Sequence, residues 1–194
     1  MALPMPTPNN TPLTREKSRL LSASEIERTL VRLAHQIAEK NSGPALPALI
    51  GIERRGVPLA ARIADSLGAI EKQRVDVGRL DIRNYRDDLT THGERPIVAE
   101  GEIGFDVTGR DVILVDDVLY TGRTTRAAMD AVFTQGRPRR IELLALIDRG
   151  HRELPIEATY IGRVVQTSAQ EIIEVRLKEV DGVDEVVLAE RATP

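Results

Sequence analysis

Cysteine is absent from the 194 residues. That excludes a disulfide framework, a thiolate zinc site and a cysteine nucleophile, and it suits a reducing cytoplasm. Tryptophan is missing too, and aromatic residues make up only 3% of the chain, so the core must be aliphatic. There is no excess of positive charge. With a net charge of −3 no global basic field holds nucleic acid, and any RNA or DNA site has to be a local patch. No apolar run approaches the ~20 residues of a membrane span, and the first residues lack the apolar core of a signal peptide. A cytoplasmic protein without a membrane partner is expected. What the chain does have, 41% hydrophobic residues, is ordinary for a globular protein of a length that suits one domain.

The pattern along the chain alternates strands with helices. Residues 1–12, "MALPMPTPNNTP", are poor in apolar side chains and are expected to be a disordered tail. A capping box of Ser24 and Glu27 opens a helix. Its apolar face is Ile26, Leu30, Leu33 and Ile37, its polar face carries Arg28, Arg32 and His35, and "NSGP" ends it near residue 41. "ALPALIGI" is a short strand ending near Ile52, "ERRG" a tight connection, and Pro58 fits the first turn of a helix running to about Leu67. "VDVGRLDI" reads as a strand. Residues 83–107 are polar and irregular, longer than the ~12–15 residues of a passive loop, and are expected to be a functional lid or disordered. "DVILVDD" is apolar enough for a strand buried on both faces of a parallel sheet. A helix over 123–135 and a strand "RIELLALID" follow, and Asp181-Gly182 marks a hairpin turn near the end. Such alternation predicts an α/β domain around a central parallel sheet.

Within it, "VILVDDVLYTGRT" (112–124) carries the chemistry. Ligands of open parallel sheets bind beyond the carboxyl ends of the strands, where Asp116 and Asp117 are placed. The next stretch brings backbone N–H groups, a glycine, the hydroxyls of Thr121, Thr124 and Thr125, and the start of a helix, which favours an anion. Carboxylates repel phosphate, so the two acids must face sugar hydroxyls, a bound Mg²⁺ or a developing positive charge on the same ligand. A ribose 5-phosphate satisfies this. A phosphate-loop nucleotide hydrolase would need G-x-x-x-x-G-K-[ST]; the nearest match, Gly51 to Gly56, runs on into Val57-Pro58 and fails. A purely structural pair of turn aspartates leaves the accompanying loop and helix unexplained.

The same stretch resembles the phosphoribosyl pyrophosphate (PRPP) signature of type I phosphoribosyltransferases. Together with Tyr120, "GIERRG", "LDIRNYRDDL" and "LIDRGHRELPI", it resembles the PyrR family of bacterial pyrimidine operon attenuators and uracil phosphoribosyltransferases, over about residues 25–190. The resemblance implies an α/β type I phosphoribosyltransferase fold: a central, mostly parallel sheet flanked by helices, a small C-terminal β hood and a long flexible lid loop. It implies a tail over 1–22 and one phosphoribosyltransferase domain over 23–194. The implied reaction joins ribose 5-phosphate from PRPP to N1 of uracil, giving UMP and pyrophosphate. Asp116 and Asp117 would be catalytic, facing the ribose and steadying an oxocarbenium-like transition state. Val118, Leu119, Tyr120, Thr121, Gly122, Arg123, Thr124 and Thr125 would bind PRPP through its 5-phosphate. Arg55, then Arg54, would bind pyrophosphate from a loop that in this superfamily often contains a non-proline cis peptide, and Arg86 could join them from the lid. Arg149 and backbone groups near Val165 would meet uracil. Mg²⁺ would be held mainly by PRPP, with few or no direct protein ligands.

The family resemblance also implies binding of an mRNA leader hairpin when UMP or UTP is present, and assembly as a homo-oligomer, a dimer or tetramer. Arg32, His35, Lys40, His151, Arg152 and Arg163 match the positions of the family's RNA contacts. Two positions depart: Val31 stands where Thr is common and Glu157 where a basic residue is common. Other readings are an RNA-binding regulator with little catalysis, or a phosphoribosyltransferase for another base.

Overall fold

A computed structural model describes residues 14–41, 43, 45–82 and 103–191. Its elements run in the order β1 (Thr14–Ser22), α1 (Ala23–Lys40), β2 (Ala48–Ile52), α2 (Gly56–Glu71), β3 (Val77–Leu80), β4 (Asp111–Leu119), α3 (Arg123–Gln135), β5 (Arg140–Asp148), β6 (Tyr160–Val164), β7 (Glu171–Arg176), α4 (Lys178–Asp181) and β8 (Glu185–Arg191). Five strands form one sheet in the order β3-β2-β4-β5-β6, parallel throughout. The central β-α alternation is therefore the architecture expected from the pattern.

Both faces of that sheet are covered, which is why β2 and β4 read as unbroken apolar runs. Leu49, Ile113, Val115, Leu144 and Leu146 point to α1 and α2. Their strand neighbours Ile50, Ile52, Leu114, Leu143 and Ala145 point the other way, against Ala127, Ala128, Ala131 and Val132 of α3. The small inward residues of α3 let that helix lie close to the sheet. Helix α1 buries Ile26, Leu30, Leu33 and Ile37, the stripe read from its periodicity, and leaves Arg28, Arg32 and His35 exposed.

A second sheet of three strands, β1-β8-β7, is antiparallel. It revises three expectations. The expected tail over 1–22 gives way at Thr14 to a strand that pairs with β8, so the hood is built from both ends of the chain. Strand β1 shows no apolar alternation because it is an edge strand held by its backbone; only Leu21 of its side chains is buried. Its charges reach over β8 to β7, Lys17 to Glu171 at 2.7 Å and Glu16 to Arg176 at 2.6 Å. The strand also delivers the chain to α1 in extended form, so the cap falls two residues earlier than Ser24: Glu25 accepts from the backbone N–H and the hydroxyl of Ser22, at 2.8 and 2.6 Å. The hairpin expected at Asp181-Gly182 joins β7 to β8, but through the short helix α4, which Gly182 ends at φ 78°.

Of the expected lid, residues 83–102, with Arg86, lie outside the described residues. Its last stretch is anchored: Ile103 and Val107 are buried in the α3-side core.

Candidate active site

The order β3-β2-β4-β5-β6 reverses between β2 and β4. From β2 the chain goes outward to β3, then returns to the other side for β4 and continues to β5. The carboxyl ends of β2 and β4 thus flank the crevice where ligands of such sheets bind. "GIERRG" leaves β2 there. A Cβ on Gly51 would run into the backbone of Gly56 and Val57, and one on Gly56 into the Val115 carbonyl, so glycine at both positions lets the loop press against β4. The Glu53–Arg54 peptide is cis, as the resemblance implied.

Asp116 is buried and Asp117 half-buried at the end of β4. Asp116 Oδ1 accepts the Asp117 N–H and Asp117 Oδ1 the Val118 N–H, each at 2.9 Å. Burial pushes the Asp117 carboxyl above its usual range, against a hydrogen bond with Asp116 and the charge of Arg55. The two acids open onto different spaces. Asp116 lines a cavity of about 350 Å³ together with residues 118–125. Asp117 lines one of about 570 Å³ with Arg55 and hood residues such as Glu174 and Asp181. The first cavity lies at the N-terminus of α3, capped by Gly122 at φ 91°. There Thr125 Oγ1 is buried with no hydrogen-bond partner. Tyr120 is exposed, and Leu119 packs its side chain in the core.

Arg55 is placed on the second cavity, but it is paired: Nε and Nη2 donate to the two oxygens of Asp181 at 2.9 and 2.7 Å. The bond to Arg55 holds the Asp181 carboxyl below its ordinary range. Arg62, on the helix that Arg55 precedes, grips Glu179 and Asp184 at 2.6 and 2.8 Å. Arg55, just before α2, and Arg62, within it, thereby clasp the hood connection. Arg54 is exposed. Arg149 is buried and spends donors on the hood loop, with Thr167 Oγ1 at 3.1 Å and the Glu171 carbonyl at 2.9 Å. Its guanidinium lies 4.0 Å from the Tyr120 ring centroid. It stands between the loop after β4 and the hood, with its face on Tyr120. The Val165 N–H is taken by the Asp148 carbonyl at 2.8 Å.

The basic residues matched to RNA contacts separate into groups. Arg32 and His35 are exposed on α1, and Arg32 Nη2 donates to the Gly162 carbonyl at 2.6 Å. Arg163, exposed on β6, donates to the Leu20 carbonyl at 2.5 Å. Lys40, at the far end of α1, pairs with Glu142 at 2.8 Å. His151 lies beside the active site, its ring against Tyr120 and its Nε2 2.6 Å from the Thr167 carbonyl. Arg152 is turned inward, to Asp148 and the carbonyls of Leu119 and Tyr120. Glu157 and Val31 are exposed.

The sequence marks Asp181 as a turn residue and gives no site role to it, to Thr167 or to Glu171, because nothing local marks a hood acid that binds an arginine far along the chain. Glu171 ties the hood together: it pairs with Lys17, accepts the Ser168 N–H at 2.8 Å, and offers its carbonyl to Arg149. The Lys17 hydrogen bond, then the Ser168 N–H, hold its carboxyl down at about 2. A carboxyl lowered on folding lends stability that is complete above its unfolded value, here 4.5, and is lost as pH falls toward 2. Glu171→Gln therefore melts below wild type near neutrality, and the gap closes across that acid window. Thermal melts in a pH series check this; a gap constant with pH would remove the ionised carboxylate as its cause.

Comparison with known proteins agrees with this geometry. Residues 17–179 match the family model of the phosphoribosyl transferase domain. The chain is 53% identical over 180 residues to the bifunctional protein PyrR of Pelotomaculum thermopropionicum, covering 93% of this chain and 99% of that one. It is 55% identical over 177 residues to the bifunctional protein PyrR of Thermus thermophilus, covering 91% and 98%. The hypoxanthine phosphoribosyltransferase of Trypanosoma cruzi superposes with a TM-score of 0.70 over 94% of each chain, at 19% identity. That last likeness is one of fold alone.

Proposed function

Because this chain belongs to the phosphoribosyl transferase domain family and, within it, to the PyrR family, we propose that it transfers ribose 5-phosphate from PRPP to N1 of uracil and binds a pyrimidine-operon leader RNA in response to the nucleotide formed. The observation that carries the enzymatic half is the crevice itself: two carboxylates between an anion cradle on one side and an arginine loop on the other.

In the reaction, the bond from ribose C1 to the pyrophosphate oxygen breaks and its electron pair leaves on pyrophosphate. N1 of uracil supplies the pair for the new bond, and the N1 proton is released. Residues 120–125 hold the 5-phosphate at the start of α3, where N–H groups and the helix dipole favour it. Asp116 and Asp117 face the ribose, and their charge stabilises the positive character that builds at C1. Arg55 meets the departing pyrophosphate. When bound, Mg²⁺ neutralises pyrophosphate charge. It would be held mainly by PRPP oxygens, with few or no direct protein ligands, which suits this ion; among the described residues no group of three or more His, Cys, Asp or Glu could hold a metal. No described helix is long and apolar enough to cross a membrane. Turnover of a panel of bases with PRPP and Mg²⁺ tests the assignment: uracil reacts in preference to hypoxanthine, guanine and orotate, and selective use of another base would overturn it.

The regulatory half rests on the exposed basic residues of α1 and β6. Affinity for the leader hairpin falls as salt rises, by roughly 0.7 to 0.9 log units per log unit of salt for each phosphate contact. Glu157→Arg tightens binding by removing a repulsive charge, and Arg32→Ala weakens it and flattens the slope. Filter binding over a salt series measures both. Wild type binding an unrelated hairpin equally well, with UMP present, would end the regulatory reading.

A further inference from the structure

We propose that the arginines of "GRPRR" (136–140), at the amino end of the central sheet, form with Lys40 a contact surface for the sugar-phosphate backbone of RNA. This rests on the RNA-binding reading above and carries it to a face where that reading names Lys40 alone.

Three arginines fall within four positions there, in a chain whose net charge is −3, and the crevice uses none of them. Arg140 opens β5 opposite Asp111, the first residue of β4, whereas the acids that face the ribose lie toward the other end of β4. Lys40, the last residue of α1, joins Asp111, Arg139 and Arg140 around a cavity of about 580 Å³. The floor beneath it is fixed. Asn41, Glu142 and Tyr160 are buried. Asn41 Nδ2 donates to the Tyr160 hydroxyl at 3.0 Å, and that hydroxyl donates to Glu142 at 3.2 Å. Arg140 Nη2 donates to Asn41 Oδ1 at 2.6 Å, and the Lys40 ammonium pairs with Glu142 at 2.8 Å. The cations are thus tethered to a rigid base, yet the side chains of Lys40, Arg139 and Arg140 stay 48%, 72% and 42% exposed.

Their pairing leaves charge over. Asp111 alone serves two guanidinium groups: Nε and Nη2 of Arg139, each at 2.7 Å, and Nη2 of Arg140 at 2.9 Å. Against three cations stand Asp111 and the buried Glu142, and Arg137 is exposed beside them. Closing the end of the sheet needs one arginine for that carboxylate; the second is surplus to it. Exposed ion pairs of this kind are worth little, and a phosphate suits a guanidinium fork as a carboxylate does, so a phosphodiester can take these donors at small cost. The surface also prolongs the exposed polar side of α1. The rise from Arg32 to Lys40 is about 12 Å, and Arg140 and Arg139 continue past the helix end. A row of that length suits an RNA duplex met along its backbone better than one small anion.

Filter binding of the leader hairpin over a salt series, with UMP saturating, tests this in the full chain. Arg139→Gln changes an exposed side chain and keeps an amide donor for Asp111. It should flatten the log–log salt slope by about 0.7 to 0.9, one phosphate contact, and weaken binding about five- to eightfold at 0.1 M salt. Arg140→Gln should do the same; if the lost bond to buried Asn41 unfolds it, Arg139→Glu supplies a second readout and weakens binding further than Arg139→Gln. Asp111→Asn, which takes the carboxylate from both arginines, should tighten binding. Turnover of uracil should be unchanged in the arginine variants. Wild-type slope and affinity in all the folded arginine variants overturn the proposal. So does weaker UMP binding in place of weaker hairpin binding, which would assign the patch to a free nucleotide. Wild type that fails to tell the leader from an unrelated hairpin would end the RNA reading itself, a result seen before any variant is made.

Discussion

Asp117→Asn lowers turnover of uracil with PRPP by at least tenfold, and Asp116→Asn does the same, while the fold persists. An amide has the shape of the carboxyl and keeps an oxygen that can accept the N–H of the next residue, so the local hydrogen bonds at the end of β4 survive. What is lost is negative charge beside the ribose. Tenfold corresponds to about 1.4 kcal/mol of transition-state stabilisation, a modest demand on an electrostatic effect in a partly dry site. The direction of the Asp117 shift adds a second signature. Burial raises its carboxyl above the usual value of 3.8, so ionisation is less favourable in the folded protein than in the unfolded chain. Its ionisation subtracts stability above the raised value, and that penalty disappears as pH falls to the unfolded one. Removing the charge therefore leaves melting near neutrality unchanged or higher, even as the rate drops. The same shift makes the wild-type rate decline in acid from above pH 3.8. Full rates in both variants would remove the acids from the ribose site.

Arg55→Ala weakens binding of pyrophosphate and of PRPP by tenfold or more, again about 1.4 kcal/mol, and leaves uracil binding intact. In the free protein the guanidinium is held by Asp181, both groups being partly exposed at 29% and 21%. A bidentate carboxylate and a phosphate compete for the same planar fork, so incoming pyrophosphate has to displace the hood acid. Asp181→Asn accordingly shifts affinity the other way and tightens pyrophosphate binding. Titration calorimetry of the two variants separates the roles. Opposite shifts establish competition for Arg55; unchanged affinity in Arg55→Ala would take this loop out of the site; losses in both would make the pair a support for the hood and nothing more.

The residues of β4 and α3 were legible from the chain alone. An unbroken apolar run, two acids, a T-G-x-T turn and a helix are local features, each enforced by neighbours a few positions away, and the helix over 123–135 matches its expected bounds. The stripe of α1 was legible for the same reason, since a 3.6-residue period depends on one helix only. Strand β1 was not. Its exposed, charged side chains carry no alternation, and its backbone partner β8 lies at the opposite end of the chain.

The site shows the same division. The residue types needed for a phosphoribosyl ligand could be read from 51–56 and 112–125, but only the strand order puts Arg55 across the crevice from Asp117. Arginine roles were decided by tertiary structure most of all. Arg152 and Arg32 look alike as basic residues in a motif, yet one is turned inward onto Asp148 and the carbonyls of Tyr120 and Ile156, and the other lies exposed on α1 with its guanidinium on the Gly162 carbonyl of β6. A guanidinium on a flexible stem goes to whichever oxygens the fold brings within reach. Those oxygens belong to carbonyls and carboxylates whose positions are set by how distant segments pack, so the chemistry available at this site was written locally while its aim was set by the assembled sheet.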